Sequence, residues 1–139
     1  MSGLMNHFSD GAPLYGFVGL AVLVLLYVSA DSFLLKASVG NAWTVGARDV
    51  PPEISPAAGR AHRALWNLLE TAPAFLALAV AAAVYERANA WIASGVGLYL
   101  AGRLAYLPAY LSGVPWLRTM FWQAATLGIA AMLVGVLVS

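Results

Sequence analysis

Charged residues are spaced so widely along this chain that they divide it into long apolar segments. No charged residue lies between Asp10 and Asp31, and none follows Arg118. Apolar segments of about 20 residues are long enough to cross a hydrocarbon core about 30 Å thick as helices. This spacing predicts an integral membrane protein, because a soluble domain of this size carries charges throughout its sequence.

The composition excludes several classes of protein. Of the 139 residues, 62% are hydrophobic and only 9% are charged, which is typical neither of a soluble globular enzyme nor of a disordered chain. Seven Lys and Arg against six Asp and Glu leave no basic surface for nucleic acid. The chain has no Cys and its two His residues, His7 and His62, are far apart, so we expect no metal site.

The pattern predicts a single all-α membrane domain over residues 1–139. Four helices, at about 11–35, 56–85, 90–111 and 116–138, would form an up-and-down bundle. Four spans take up about 80 residues, and five would leave almost no connections. Pro51 and Pro52 disfavour helix in the long connection from Lys36 to Gly59. Ser55 followed by Pro56 is typical of a helix start.

The distribution of Lys and Arg predicts the orientation of the bundle. The first ten residues contain neither, so they lack the basic flank of a cleavable signal peptide, and we expect the first helix to be retained. The first connection and its flanks carry Lys36, Arg48, Arg60 and Arg63. We therefore expect the first and third connections to face the cytoplasm and both termini to lie outside.

Two stripes of polar side chains interrupt the apolar helices. On the second helix, Arg63, Asn67 and Glu70 follow each other at i, i+4 and i+7, which places them on one face. The third helix carries a second stripe: Tyr99, Arg103, Tyr106 and Tyr110.

Ionisable residues inside a membrane are costly and need a partner or a function. Glu70 and Arg103 lie at similar depth, about 10–12 Å inside the cytoplasmic end of their helices, so we expect them to form an ion pair. An ion pair that pins two helices is the purely structural interpretation. With Arg118 nearby, the stripes also predict a polar, net-positive pocket that opens inward and suits a small polar anion.

The sequence segments that contain these stripes resemble those of the MAPEG family, the membrane-associated proteins of eicosanoid and glutathione metabolism. The resemblance lies in RAHRALWNLLETAPAFLAL (60–78) and YLAGRLAYLPAYLSGVPWLRTMFW (99–122). The connection NAWTVGARDVPPEISPAAGRA (41–61) looks like the bacterial branch. The resemblance implies a homotrimer in the bacterial inner membrane, with glutathione as thiol co-substrate bound between subunits near the cytoplasmic face and with lipophilic small molecules as partners.

The resemblance also implies roles for particular residues. Arg63, Asn67 and Glu70 match family residues that hold glutathione. Tyr106 and Tyr110 match aromatic residues that line the same site, and Arg103 matches the buried arginine that precedes them. Arg118 matches the arginine that stabilises the glutathione thiolate in catalytic members. A cation beside the sulfur lowers the pKa of a thiol, which makes this assignment chemically coherent.

One region departs from the family pattern. Catalytic eicosanoid members carry arginine near the end of the first helix, where this chain has Asp31 and Lys36. We interpret Lys36 as a replacement for this arginine in a contact to a glutathione carboxylate. Lys36 would make the contact through a single ammonium group rather than through a bidentate guanidinium.

Three functions compete at this level. The first is a glutathione-dependent transferase or peroxidase for lipophilic electrophiles or hydroperoxides. The second is a non-catalytic lipid-binding or scaffold member of the same family. The third is a small four-helix transporter with Glu70 in its pathway, which the expected pairing of Glu70 with Arg103 disfavours.

Overall fold

The computed structural model describes residues 2–138, with side chains from Gly11 onward. It contains four helices: α1 (Ser2–Val45), α2 (Pro56–Val84), α3 (Ala90–Ser112) and α4 (Pro115–Leu137). The predicted all-α architecture of four helices is therefore confirmed for these residues. The boundaries of α2, α3 and α4 lie within one residue of the expected ones.

The first helix is longer than expected. It begins at Ser2 and continues to Val45, so the first part of the expected connection after Lys36 is helical. No proline lies between Lys36 and Val45, and the only break is Gly40, whose φ of 78° and ψ of 172° are not helical. The Thr44 hydroxyl donates to the Gly40 carbonyl at 2.7 Å, so the helix resumes immediately after this kink.

The start of α2 is built as its sequence predicts. The Ser55 side chain accepts a hydrogen bond from the Ala58 backbone N–H at 3.2 Å, and Pro56 occupies the first turn. The Ser55 N–H in turn donates to the Ser38 hydroxyl at 2.6 Å. The cap therefore also ties the first connection back to α1, which fixes the entry of the helix that carries Asn67.

Three of the four helices are long and apolar enough to cross a membrane: residues Gly11–Val45 of α1, all of α2 and all of α4. The third helix has 23 residues, as many as α4, and would span about 34 Å. The chain is thus a membrane protein, and a fourth crossing by α3 stays an expectation.

The helices pack around a central α2–α3 pair. The most extensive contact joins α3 to α4, α1 packs on α2 and α3, and α4 also touches α2; within the described residues α1 and α4 do not meet. Glycines bring α3 and α4 close together: a Cβ on Gly95 would lie 2.6 Å from the Gly128 carbonyl oxygen. Gly97, by contrast, has nothing within 4 Å of the Cβ position, so it does not contribute to this contact.

The buried centre of the bundle is aromatic and contains one charged group. Phe75 of α2 stacks on Tyr99 of α3, with ring centroids 4.1 Å apart. Next to Tyr99, one turn along α3, lies Arg103, whose side chain is fully buried. This arginine connects the core to the candidate site.

Candidate functional site

A buried guanidinium is the base of the candidate site. Arg103 donates from Nη1 to the Asn67 side-chain oxygen at 2.7 Å and from Nη2 to the Thr71 hydroxyl at 2.6 Å. Its Nε is buried and has no hydrogen-bond partner. The Tyr27 hydroxyl of α1 donates to the Arg103 backbone carbonyl at 2.6 Å. Two helices, α1 and α2, thus hold this residue of α3 in place through neutral groups.

Two tyrosine rings add a partial negative environment around the same charge. The Arg103 guanidinium carbon lies 5.6 Å from the centre of the Tyr99 ring and 5.4 Å from that of Tyr106. Aromatic faces attract cations at these distances. The rings therefore help to make a buried charge tolerable where no carboxylate reaches it.

The expected ion pair between Glu70 and Arg103 is wrong. Arg103 binds Asn67 and Thr71 instead, and the Glu70 side chain is exposed on α2. The reason is helical geometry: Asn67 and Thr71 are about 40° apart around α2, whereas Glu70 lies about 60° from Asn67 on the other side. Equal depth in the bundle did not bring the two charges together, because they point in different directions.

Above this base, three of the expected site residues come together around one small cavity. It has a volume of about 150 Å³ and is lined by Asn67 of α2, Tyr106 of α3 and Arg118 of α4. Thr119 and Trp122 complete its walls on α4. The stripes on separate helices therefore do converge, at the end of α3 that connects to α4.

Arg118 is positioned by an aromatic pair. Its guanidinium carbon lies 5.1 Å from the centre of the Tyr110 ring, and the rings of Tyr110 and Tyr106 meet edge to face at 5.4 Å. No carboxylate is bonded to Arg118 among the described residues. Its donors are consequently available to a ligand in the cavity.

Three other expected site residues lie outside this cavity. Arg63 and Glu70 are exposed on α2, and the Arg63 guanidinium turns back along the helix, with Nη1 3.3 Å from where a Cβ of Gly59 would be. Lys36 is exposed on α1, the helix that does not touch α4 in the described part of the chain. A single chain therefore does not bring these residues to Arg118.

Sequence reasoning missed the side chains that complete the site. Thr71 follows Asn67 at i+4, and Thr119 and Trp122 follow Arg118 by one and four residues. Extending the α2 stripe by one turn in the direction of Asn67 would have identified Thr71. For Thr119 and Trp122 there was no such signal, because α4 carries no polar stripe beyond Arg118.

A second polar cluster lies on the opposite side of α2, where α1 packs. His62 Nδ1 lies 3.4 Å from a carboxylate oxygen of Asp31, and the Trp66 indole donates to His62 Nε2 at 3.0 Å. This cluster gives a partner to Asp31, one of the residues that depart from the family pattern. It binds α1 to α2 and leaves the carboxylate away from Arg118.

The arrangement at the cavity is suited to a polar ligand with negative charge. It contains one available guanidinium, one amide and one phenol, with a second, buried guanidinium behind them. Cationic donors of this kind bind carboxylates and stabilise thiolates. Among the described residues, no group of three His, Cys, Asp or Glu side chains is arranged to hold a metal ion.

Comparison with known proteins gives one match. The model of the MAPEG family matches residues 13–138, which cover α1 from Pro13 onward, the whole of α2, α3 and α4, and every residue of the cavity. No curated protein matches the chain significantly.

Proposed function

The chain belongs to the MAPEG family, and from this premise we propose that it is a membrane-bound, glutathione-dependent transferase or peroxidase that acts on lipophilic electrophiles or hydroperoxides. The observation that carries the proposal is the convergence of Asn67, Tyr106 and Arg118 on one polar cavity between α2, α3 and α4. Each of these residues lies on a different helix, and the packing of the three helices brings them together.

Arg118 is the group we assign to the chemical step. Its guanidinium stays protonated at every working pH, so a thiol placed beside it ionises more readily. The thiolate would attack an electrophilic carbon, the leaving group would depart with its electron pair, and the thiol proton would pass to water. The Tyr110 ring, 5.1 Å from the guanidinium carbon, orients Arg118 without neutralising it.

Asn67 and Tyr106 are the groups we assign to binding and orientation. Arg103 holds the Asn67 side-chain oxygen at 2.7 Å, which leaves the amide N–H₂ as a donor for a carboxylate or carbonyl of glutathione. The Tyr106 ring is fixed between the guanidinium of Arg103 and the ring of Tyr110. Arg103 therefore acts as a positioning residue, because it is fully buried and reaches the cavity only through its partners.

The cavity holds only part of such a ligand. Pockets that enclose small molecules usually have volumes of about 300 to 1,000 Å³, and this one has about 150 Å³. We therefore propose that a neighbouring copy in a homotrimer completes the glutathione-binding site. Arg63, Glu70 and Lys36 would provide further contacts to the ligand there. We place the protein in a bacterial inner membrane with its first and third connections in the cytoplasm. Native mass spectrometry in mild detergent that detected only monomer or dimer would contradict this assembly.

The decisive experiment separates binding from chemistry. Arg118→Ala should slow conjugation of glutathione to chlorodinitrobenzene at least tenfold, which corresponds to about 1.4 kcal/mol of barrier. It should weaken glutathione binding much less and should abolish the thiolate absorbance of the bound state near neutral pH. Arg63→Ala should weaken glutathione binding more than it slows the chemical step. The contact proposed for Arg63, to a carboxylate of glutathione, is present equally in the bound ground state and in the transition state.

Arg48→Ala is the matched control for loss of a cation. Arg48 lies in the first connection and donates to the Thr44 carbonyl from both Nε and Nη2, away from the cavity, so its removal should leave conjugation unchanged. If Arg118→Ala leaves both the turnover and the pKa of the bound thiol unchanged, the catalytic assignment fails. A non-catalytic, lipid-binding member of the family would then be the better description.

A further inference from the structure

A groove between α1 and α2 lies at the end of the bundle opposite to the polar cavity. On α2 it runs from Leu76, about 14 Å along the helix from Asn67, past Ala82 to Glu86 and Arg87. Two adjoining cavities form it, one of about 420 Å³ and one of about 490 Å³, and Phe17 lines both. From Pro13 to Leu25, the outermost lining residues on α1, the groove is about 18 Å long.

The two halves of the groove differ in chemistry. The half nearer the middle of the bundle is lined only by apolar side chains, among them Leu20, Val24 and Leu76. Both helices that form it are long and apolar enough to cross a membrane, so we place this half at the depth of the acyl chains of the bilayer. An apolar chain that filled it would keep its own apolar surface away from water.

The outer half of the groove ends at two adjacent residues of opposite charge. Glu86 and Arg87 line it beside Pro13 and Ala83. Because α2 ends at Val84, just before these two residues, we place them at the depth of lipid headgroups. The turn that presents them is fixed: the Arg87 N–H donates to the Ala82 carbonyl at 2.8 Å, and Glu86 adopts a φ of 51° that non-glycine residues rarely take.

We propose that this groove is a binding site for one zwitterionic phospholipid, phosphatidylethanolamine. One acyl chain lies in the apolar half, the phosphate binds the Arg87 guanidinium, and the ammonium binds the Glu86 carboxylate. Arginine forms strong, charge-assisted hydrogen bonds to phosphate, and a primary ammonium donates to a carboxylate. The adjacent anion and cation of this turn are thus complementary to the ammonium and the phosphate of one headgroup.

The same two residues disfavour other common lipids. An anionic glycerol headgroup has no cation, so it would leave the Glu86 carboxylate unpaired beside a phosphate. A choline headgroup carries a cation but has no N–H to donate. The inference does not rest on the catalytic proposal, because it concerns the other end of α2 and involves no thiol.

The test is lipid retention measured by native mass spectrometry on the full-length protein. In mixed micelles with equal amounts of phosphatidylethanolamine and phosphatidylglycerol, we expect at least a tenfold preference for the former. Glu86→Gln should abolish the preference, and Arg87→Gln should weaken binding of both lipids. A preference that is unchanged in Glu86→Gln would overturn the proposal.

A second variant tests whether the lipid occupies the outer half of the groove, beside Glu86 and Arg87. Ala83→Phe places a ring in the outer half of the groove and should lower retention of phosphatidylethanolamine at least tenfold. Ala130→Phe, on the exposed side of α4, makes the same substitution outside the groove and should have no effect. If Ala83→Phe instead dissociates the oligomer and leaves lipid retention intact, a second copy of the chain occupies the groove and the proposal is wrong.

Discussion

The Thr71 hydroxyl accepts a hydrogen bond from the fully buried guanidinium of Arg103. Replacing Thr71 by Val therefore tests how much this neutral acceptor stabilises the buried charge. Thr71 Oγ1 lies 2.6 Å from Arg103 Nη2 and 3.2 Å from the Tyr99 hydroxyl. Val keeps the shape of Thr and removes the acceptor. Hydrogen bonds to charged groups contribute about 1.5–3 kcal/mol, so we expect Thr71→Val to lower the free energy of unfolding by about 2 kcal/mol.

The assay is reversible unfolding in mixed micelles titrated with sodium dodecyl sulfate. Thr126→Val is the matched control, because the exposed Thr126 hydroxyl bonds only within its own helix, to the Trp122 carbonyl, and its loss should cost less than about 0.5 kcal/mol. In an Arg103→Met background, Thr71→Val should also cost little, since the charge that needs the acceptor is gone. Equal effects of the two Val variants, or an unchanged cost in the Arg103→Met background, would refute the reasoning.

Two further predictions concern coupling and packing. Glu70→Gln and Arg103→Met should have additive effects on the free energy of unfolding, within about 0.5 kcal/mol, because no salt bridge joins these residues; a larger coupling in a double-mutant cycle would show that they interact. Gly128→Ala should destabilise the protein by about 1–3 kcal/mol, because the new Cβ would lie 2.7 Å from the Gly95 carbonyl oxygen. Gly97→Ala, whose Cβ meets nothing within 4 Å, should not destabilise it, and equal melting temperatures for the two Ala variants would contradict this account.

The helices could be predicted because local signals and apolar periodicity agree. Ser55 and Pro56 start α2 as expected, and Gly113, with φ of 78°, ends α3. The exception is the end of α1. There the expectation relied on small and polar residues to stop the helix, but Gly40 only kinks it. The segment from Lys36 to Val45 contains no proline, so it can stay helical where tertiary contacts such as that between Ser55 and Ser38 support it. Contacts of this kind cannot be seen in a sequence.

The residues of the site could be selected from the sequence, but their partners could not. Asn67, Tyr106 and Arg118 were each identified on their own helix, and they meet in one cavity. The ion pair between Glu70 and Arg103 does not form, although both residues lie at similar depth, because Asn67 and Thr71 face Arg103 and Glu70 does not. A difference of about 60° around α2 decides whether Asn67 or Glu70 faces Arg103, and only packing fixes which residue faces inward.

The same difference in direction supports the proposal that a second copy of the chain contributes to the site. Asn67 faces into the bundle and binds Arg103, whereas Arg63 and Glu70, only four and three residues away, face outward from α2. The exposed cation and the exposed carboxylate, about two turns apart, would match the proposed ligand glutathione, whose γ-glutamyl end carries both a carboxylate and an ammonium. Because an ionisable pair on the lipid-facing side of a membrane helix is costly, we infer that another protein surface covers it. A neighbouring copy that packs on this face of α2 would shield the pair from lipid and provide the missing wall of the cavity beside Arg118.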